Sequence, residues 1–234
     1  MTYLKVSNLS FYYDEEKVLD NINFTIDPGE FVILTGENGA AKSTLIKNVL
    51  GLLKPATGSI EMARTNKDGQ KLTIGYIAQD INAFNAGFPS TVQTFVESGR
   101  YVKDRWFKKL DAHDLAHVDR ALESVGMQNF RHKKIGELSG GQKQRINLAR
   151  TFATDPDFFI LDEPTTGMDI PSRRSFYELL QHASKCHDKA ILMVTHADHE
   201  IEGFYDREIR LVREEGTQWR CFSLTSSNEP SVQD

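Results

Sequence analysis

The sequence lacks any apolar run long enough to cross a membrane. The chain has 234 residues and a mean hydropathy of −0.44. Its continuous apolar stretches, such as residues 31–34, 158–161 and 190–194, are far shorter than the roughly 20 residues that a membrane-spanning helix needs. Its first residues show no basic segment followed by an apolar one, so we expect no secretory signal. We also expect that no part of this chain crosses a bilayer by itself.

The sequence also has few cysteines and no excess of positive charge. The two cysteines, Cys186 and Cys221, do not form a CxxC pair, which favours two indifferent thiols in a reducing compartment over a disulfide scaffold. Lys and Arg number 28 against 33 Asp and Glu, a net charge of −5. This mild acidity argues against a dedicated nucleic-acid binder, and we predict no nucleic-acid partner. At roughly 150 residues per domain, the length predicts one or two domains.

Hydrophobic patterning predicts an α/β fold. Alternation at residues 4–6 and 22–26 indicates half-buried antiparallel strands, and residues 74–77 are another candidate strand. The apolar runs named above are typical of buried parallel strands. We predict helices at 43–53, 142–153 and 172–185, an inserted helical region at 91–131, and a frayed tail at 223–234. Strands that alternate with helices indicate a largely parallel sheet.

A loop rich in small residues follows the predicted strand at 31–34. Its residues are Gly36, Glu37, Asn38, Gly39, Ala40, Ala41, Lys42, Ser43 and Thr44. They nearly match the phosphate-binding pattern G-x-x-x-x-G-K-[ST], in which the lysine reaches the β- and γ-phosphates and the hydroxyl binds Mg²⁺. The alternative is an ordinary strand–helix turn.

Ala41 stands where that pattern has glycine. A positive φ there would strain alanine by roughly 1 kcal/mol or more, whereas a right-handed helical conformation would leave it unstrained. Because Lys42 and Ser43 are retained, we predict the helical conformation.

Two acids follow the predicted strand at 158–161. The carboxyl ends of strands in an open α/β sheet are where ligands bind, and Asp162 there suits a Mg²⁺ site. Glu163 would orient or deprotonate an attacking water. The alternative is a solvated turn, since Pro164 follows directly.

A third motif indicates a family. Leu138, Ser139, Gly140, Gly141 and Gln142, followed by Lys143, Gln144 and Arg145, match the signature of ATP-binding cassette proteins. The resemblance covers about residues 3–215, with the motifs in the family's order.

The resemblance implies a role for four further residues. Gln79 matches the Q-loop, which serves catalysis and Mg²⁺ binding. His196 matches the switch histidine, and Asp169 lies at the D-loop position. Tyr13 matches the aromatic residue that stacks on adenine, although Tyr12 stays possible. Each also has a structural interpretation: a polar residue after a strand for Gln79, a turn histidine for His196, a helix cap for Asp169, and a core or surface aromatic for Tyr13.

The same resemblance implies a fold and a dimer. We expect a P-loop NTPase (RecA-like) core with an N-terminal antiparallel β subdomain at residues 1–85 and 141–222, a helical subdomain at 86–140 and a flexible tail at 223–234. Two copies of the chain would sandwich two ATP molecules with Mg²⁺. The phosphate loop of one copy would face Ser139, Gly140, Gly141 and Gln142 of the other.

The single cassette, without a long coiled-coil insertion, is typical of a transporter subunit that works with a separate membrane permease. Residues 84–92 and 95–100, together with the loop that carries Ala41, resemble the ATPase subunits of bacterial zinc or manganese importers, the zinc branch most closely. The resemblance implies an indirect partner, a substrate-binding protein, and a location at the cytoplasmic face of the plasma membrane. The alternatives are an exporter ATPase or a non-transport switch protein.

Two further features of the sequence each allow more than one interpretation. Residues 100–109 are basic and aromatic, which suits docking to the membrane subunit, proximity to anionic lipid or a solvated helical face. His113 and His117 have the i, i+4 spacing of zinc ligands on a helix, but the sequence shows no third ligand, and solvated histidines are commoner.

Overall fold

Strands joined in one sheet form the centre of the computed structural model, which describes residues 1–78, 89–101, 109–166, 168–195, 199–213 and 222–227. In chain order these strands are β1 (Leu4–Tyr13), β2 (Glu16–Ile26), β3 (Phe31–Gly36), β4 (Thr57–Met62), β5 (Ile74–Ile77), β6 (Phe158–Asp162), β7 (Ala190–Val194), β8 (Arg207–Arg213) and β9 (Phe222–Ser227). Their order across the sheet is β4-β1-β2-β9-β8-β3-β7-β6-β5.

The described helices flank this sheet. They are α1 (Lys42–Val49), α2 (Val92–Glu97), α3 (Ala112–Ser124), α4 (Gly140–Ala153) and α5 (Ile170–His187), with short 3₁₀ turns at Ser98–Arg100, Gln128–Phe130, Ile135–Glu137 and His199–Ile201. Within the ranges that the structure covers, no helix combines the length and apolarity that a membrane span requires.

The sheet has a parallel and an antiparallel part, as the sequence predicts. Strands β8, β3, β7, β6 and β5 run parallel to one another, whereas β1 pairs antiparallel with both β2 and β4. Every residue of β6 and β7 is buried, which explains their continuous apolar sequences: both faces of the sheet are covered there.

Alternate residues of the central strands enter two hydrophobic cores. Along β3, Val32 and Leu34 belong to the core shared with the antiparallel strands and α1, whereas Phe31 and Ile33 belong to the core shared with α2, α3, α4 and α5. The period-two side-chain alternation of a strand produces this division.

The helical region predicted at 91–131 is confirmed where the structure describes it. Helices α2 and α3 pack on α4. Arg100, just after α2, forms an ion pair of 2.8 Å with the buried Asp114 of α3 and donates a 2.8 Å hydrogen bond to the carbonyl oxygen of Ala153. The inserted helices are thereby tied to the end of α4.

The predicted frayed tail is wrong for residues 223–227, because Phe222–Ser227 forms β9, antiparallel to β8. Phe222 is buried in the core, and Leu224 pairs with Leu211 of β8. The partner strand supplies the hydrogen bonds and packing that this short polar segment cannot provide alone. Residues 228–234 lie outside the described residues.

Candidate nucleotide-binding site

The phosphate loop and the acidic pair lie along one edge of the sheet. Leu34 of β3 and Asp162 of β6 both pair with Val194 of the strand between them, β7. Since the three strands are parallel, their carboxyl ends bring Gly36, Asp162 and Thr195 to the same edge. This is where the sequence predicted that phosphate and Mg²⁺ would bind.

Gly36 and Lys42 hold the phosphate loop in a compact turn. Gly36 has φ +150°, and a Cβ there would lie 2.8 Å from the carbonyl oxygen of Leu211, so a side chain does not fit. The buried Lys42 Nζ donates hydrogen bonds to the carbonyl oxygens of Gly36 (2.9 Å) and Glu37 (3.0 Å). Phosphate oxygens would replace these carbonyls as partners of the ammonium when a nucleotide binds.

The prediction that Ala41 is right-handed helical is wrong. Ala41 immediately precedes α1 and has φ 57° and ψ 19°, the left-handed conformation. For alanine this costs roughly 1–2 kcal/mol relative to the right-handed region. Ala40 beside it is buried, whereas Glu37, Asn38 and Gly39 are exposed. The strained residue, Ala41, lies within the closed turn from Gly36 to Lys42 and immediately precedes the helix.

Ser43 and Asp162 form the candidate Mg²⁺ site. The side chain of Ser43, in the first turn of α1, lies close enough to Asp162, at the end of β6, to lower the pKa of its carboxyl. Within the described residues, the buried Oδ1 of Asp162 has no hydrogen-bond partner. An oxygen that is buried and unpaired suits a hard cation such as Mg²⁺, which prefers carboxylate and hydroxyl oxygens.

The charge of Asp162 is poorly compensated. Burial raises the pKa of its carboxyl above the usual value, and the neighbouring Glu163 carboxylate raises it further, while the nearby Ser43 side chain and the Lys42 ammonium lower it. The net effect is an upward shift of the pKa, so the charged form is disfavoured. A bound divalent cation would remove this penalty.

Glu163 adopts a backbone conformation that is rare for its residue type. Its φ is 47°, and its N–H donates a 3.0 Å hydrogen bond to the carbonyl oxygen of Val194. Positive φ in a residue other than glycine is a cost that clusters at functional sites. With this φ, the chain leaves the extended conformation of β6 directly after Asp162.

The signature motif forms an exposed helix N-terminus. Ser139 caps α4: its hydroxyl oxygen accepts a 3.3 Å hydrogen bond from the N–H of Gln142, and the Gln142 side chain accepts one of 3.1 Å from the N–H of Ser139. Ser139 and Gly140 are exposed, Gly141 is partly exposed, and apart from the adjacent residues and the backbone of α4 itself, no described atom lies within 4 Å of a Cβ at Gly140. Such an open N-terminus suits an anion from another molecule.

Asp169 is a helix cap. Its Oδ1 accepts a 2.9 Å hydrogen bond from the N–H of Ser172 at the start of α5, and its Oδ2 lies 3.7 Å from the Arg145 guanidinium. The capping interpretation is therefore confirmed. The D-loop role that the family resemblance implies remains a prediction beside it.

Tyr13 approaches the phosphate loop. Its hydroxyl is 3.5 Å from the Thr44 Oγ1, and 44% of the residue's surface is exposed. Tyr12 instead places its ring 5.7 Å from the Lys17 ammonium. An exposed aromatic ring beside the loop fits a base-stacking role for Tyr13.

Gln79 and His196 lie outside the described residues. The chain is described as far as Ala78 after β5, and as far as Thr195 after β7. The roles assigned to Gln79 and His196 therefore stay predictions.

The residues after the signature have contacts that the sequence analysis missed. The buried Gln144 Nε2 donates a 2.8 Å hydrogen bond to the carbonyl oxygen of Pro164, next to Glu163. The Arg145 guanidinium donates one of 2.6 Å to the Ser172 hydroxyl. Both residues belong to the signature motif quoted above. Only the tertiary structure shows that α4 contacts the chain before residue 167, at Pro164, and after it, at Ser172.

The loop, the acidic strand end and the exposed signature define a P-loop nucleoside-triphosphate-binding protein. A family model described as ABC transporter matches residues 19–166. The chain belongs to this family, as an ATP-hydrolysing cassette.

Named relatives match along nearly the whole chain. The zinc transport system ATP-binding protein AdcC of Streptococcus pneumoniae is 55% identical over 98% of this chain and 98% of its own. The high-affinity zinc uptake system ATP-binding protein ZnuC of Bacillus subtilis is 48% identical over 98% and 99%. The manganese transport system ATP-binding protein MntB of Halalkalibacterium halodurans is 37% identical over 90% and 83%.

Solved structures share the fold. The dimeric structure of a bacterial ABC transporter cassette has a TM-score of 0.72 at 26% identity, covering 88% of this chain and 93% of that one. The structure of cbiO1 from Clostridium perfringens, part of the ABC transporter complex cbiONQ, also has a TM-score of 0.72, at 29% identity, covering 89% and 84%. These matches confirm the predicted α/β cassette fold.

Proposed function

We propose that this chain powers the import of a transition-metal ion, zinc, through a separate membrane permease. The observation that carries the proposal is the 55% identity to a zinc transport ATP-binding protein over 98% of both chains. A similar match to a second zinc uptake protein supports it. The lower identity to a manganese system makes manganese the second candidate.

Each group of the site has a task in the proposed ATP hydrolysis. Lys42 would bind the β- and γ-phosphates, with the N–H groups of the loop around Gly39 donating to phosphate oxygens. Ser43 and Asp162 would hold Mg²⁺, with Gln79 as a further ligand, and the ion would neutralise charge that develops on the phosphates. Glu163 would accept a proton from the attacking water.

Other residues bind and sense the nucleotide in this proposal. Tyr13 would stack on the adenine ring. His196 would contact the γ-phosphate as the switch histidine that the family resemblance implies. These assignments combine the exposed position of Tyr13 with the place of His196 in the sequence, two residues after the end of β7.

A subunit of a transport system works with a membrane permease and as a dimer. In finer detail, we propose that a second copy completes each site. The exposed Ser139 hydroxyl and the N–H groups of Gly140 and Gly141 would donate to the γ-phosphate bound by the other copy, with Asp169 near the shared interface. The presence of the γ-phosphate then determines whether the two copies associate, so the dimer is a two-state switch.

The implied assembly lies at the cytoplasmic face of the plasma membrane, where ATP is available. The permease carries the ion, and a substrate-binding protein acts only through the permease. The core and helical subdomain boundaries at residues 1–85, 86–140 and 141–222 belong to the same proposal, supported by the packing of α2 and α3 on α4.

Growth of a deletion strain in chelated medium tests the transported ion. Zinc should restore growth at lower concentrations than manganese, and a plasmid copy of the wild-type chain should remove the requirement, whereas the Glu163→Gln variant should not. Preferential rescue by manganese would favour the second candidate. Unimpaired zinc accumulation, measured by mass spectrometry of washed cells, would contradict metal import and favour an exporter or a non-transport switch.

A further inference from the structure

One face of α5 holds the segment that follows β7. Residues four positions apart share a face of a helix. The side chains on this face that contact residues 200–206 are Arg173, Tyr177, Gln181 and Lys185. Their partners are, in the same order, Glu200, Phe204, Gly203 and Asp206. The segment therefore lies along the length of the helix.

The two ion pairs lie at opposite ends of this face. Arg173 is in the first turn of α5, where its N–H donates a 2.9 Å hydrogen bond to the carbonyl oxygen of Asp169, the helix cap. Lys185 is in the last turn, and the next residue after the helix, Asp188, accepts a 3.1 Å hydrogen bond from the N–H of Gly29, just before β3. At 1.5 Å per residue, the two ends are roughly 18 Å apart. Arg173 therefore belongs to the Asp169 end, and Lys185 to the opposite edge of the sheet.

The pair of Arg173 and Glu200 meets at two points. The Arg173 Nη2 donates a 3.2 Å hydrogen bond to the Glu200 Oε1, and its Nε lies 3.0 Å from the Glu200 Oε2. Both side chains are half-buried. A guanidinium that meets both oxygens of a carboxylate fixes its orientation as well as its distance. The ring contact, the single hydrogen bond and the lysine pair farther along the helix lack this constraint.

Glu200 is one of two anchors that flank His196 in the sequence. Upstream, the N–H of Thr195 donates a 3.2 Å hydrogen bond to the carbonyl oxygen of Leu34, at the end of β3. Downstream, Arg173 holds Glu200, and the adjacent Ile201 is buried in the core. Only residues 196–199 connect the two anchors. Because a short connection between fixed ends has little freedom, the anchor at Glu200 restricts the residues before it.

We propose that Arg173 and Glu200 are positioning residues for ATP hydrolysis, which fix the segment that carries His196 relative to the start of α5 at Asp169. The inference rests on the proposed contact of His196 with the γ-phosphate. The ion pair acts through His196 rather than on the nucleotide itself. Its loss should therefore slow the chemical step while the phosphate loop still binds ATP.

Steady-state ATPase kinetics of the full chain with Mg²⁺ test the proposal. Since small misplacements near a reacting group can reduce rate about 100-fold, we expect Arg173→Gln and Glu200→Gln each to lower kcat by about 10-fold to 100-fold. The KM for ATP should be unchanged, because Lys42 and its loop are intact. The double variant should lose no more than either single variant, since both remove the same contact.

Lys185→Gln is the matched control. Lys185 lies on the same face of α5 and pairs with Asp206 of the same segment, but at the opposite end of the helix. We expect its melting temperature to fall as much as that of Arg173→Gln, whereas its kcat should equal that of the wild type. A role in stability alone would lower kcat, if at all, equally in both variants.

Three outcomes would overturn the proposal: wild-type kcat in Arg173→Gln and Glu200→Gln, an equal loss of kcat in Lys185→Gln, or losses that add in the double variant. His196→Ala separates this inference from the proposed function. Wild-type turnover by His196→Ala would contradict the role of His196 itself. Loss of turnover in His196→Ala, with none in Arg173→Gln, would contradict only the positioning role of the ion pair.

Discussion

The Ser43 side chain, at the start of α1, lies beside the Asp162 carboxyl at the end of β6 and lowers the pKa of that carboxyl. These residues lie more than a hundred positions apart in the sequence, yet their side chains meet because β3 and β6 lie on either side of β7. This proximity brings the phosphate loop next to the acidic end of the strand. The same pair therefore supports the loop without nucleotide and would hold Mg²⁺ with it.

Asp162→Asn should have opposite effects on Mg²⁺-dependent hydrolysis and on the stability of the nucleotide-free protein. We expect the loss of Mg²⁺-dependent hydrolysis with a more stable nucleotide-free protein at pH 7 to 8. The sign follows from linkage: the folded-state pKa is raised, so the charged carboxylate costs folding free energy at high pH. That cost disappears as the pH falls through the folded pKa towards the unfolded value, where both states carry the proton.

Thermal unfolding from pH 8 to pH 4, together with ATPase assays across Mg²⁺ concentrations, measures both effects. The melting temperature gained by Asp162→Asn should shrink as the pH falls. A gain that grows towards low pH would mean that the Asp162 carboxylate is well compensated in the folded chain.

Glu163→Gln should block hydrolysis while leaving ATP bound. Loss of a general base commonly costs about 100-fold to 10,000-fold in rate, and the amide keeps the size of the side chain. We expect ATP-dependent dimers of this variant by size-exclusion chromatography with light scattering. Lys42→Ala is the control, because it should lose ATP binding and the dimer together. Undiminished turnover by Glu163→Gln would show that another group activates the water.

The parallel core and the main site motifs could be predicted because each has a local cause. Residues 31–34, 158–161 and 190–194 are continuously apolar because both faces of β3, β6 and β7 are covered. Asp162 reaches the phosphate loop because parallel strands end at one edge. The spacing of Lys42 and Ser43 after a strand already indicates this geometry.

Other features depend on distant partners and could not be predicted. The strand Phe222–Ser227 exists because β8 pairs with it, and its own sequence reads as a polar tail. His182 and His187 line the same groove as His113 and His117 only in the folded chain. The conformation of Ala41 depends on loop closure by Lys42, which residue type alone does not reveal.

Ala41→Gly should stabilise the chain. Glycine avoids the roughly 1–2 kcal/mol that the left-handed region costs alanine. Its greater conformational freedom in the unfolded chain offsets about 0.4–1 kcal/mol of that gain. A net gain near 1 kcal/mol corresponds to a melting temperature about 2–4 °C higher at this size. Differential scanning calorimetry measures it. Ala40→Gly is the control and should lower the melting temperature, because Ala40 is buried and has no positive φ.

Gln144→Leu should slow turnover without weakening ATP binding. It removes the 2.8 Å hydrogen bond to the Pro164 carbonyl oxygen, leaving a buried acceptor unpaired at a cost of about 1–3 kcal/mol. Glu163, directly before Pro164, would lose its fixed position, and small misplacements can reduce rate about 100-fold. Steady-state kinetics should show a lower kcat with an unchanged KM for ATP.

Gln181→Leu is the matched control for Gln144→Leu. Gln181 also donates a 2.8 Å hydrogen bond to a carbonyl oxygen, that of Gly203, but on an exposed surface. Its replacement should leave kcat unchanged. Equal losses of kcat in the two variants would mean that the Gln144 contact acts through general stability rather than through the position of Glu163.

Tyr13→Ala should weaken ATP binding, whereas Tyr13→Phe should preserve it. Stacking of a base on an aromatic ring contributes about 1–3 kcal/mol, so we expect the ATP dissociation constant to rise between about fivefold and 150-fold. The hydroxyl contact with Thr44, at 3.5 Å, is too long to contribute much. Fluorescence titration with a labelled ATP analogue measures the affinity. Tyr12→Ala should bind normally, because the Tyr12 ring lies beside the Lys17 ammonium; a larger loss there than in Tyr13→Ala would transfer the stacking role to Tyr12.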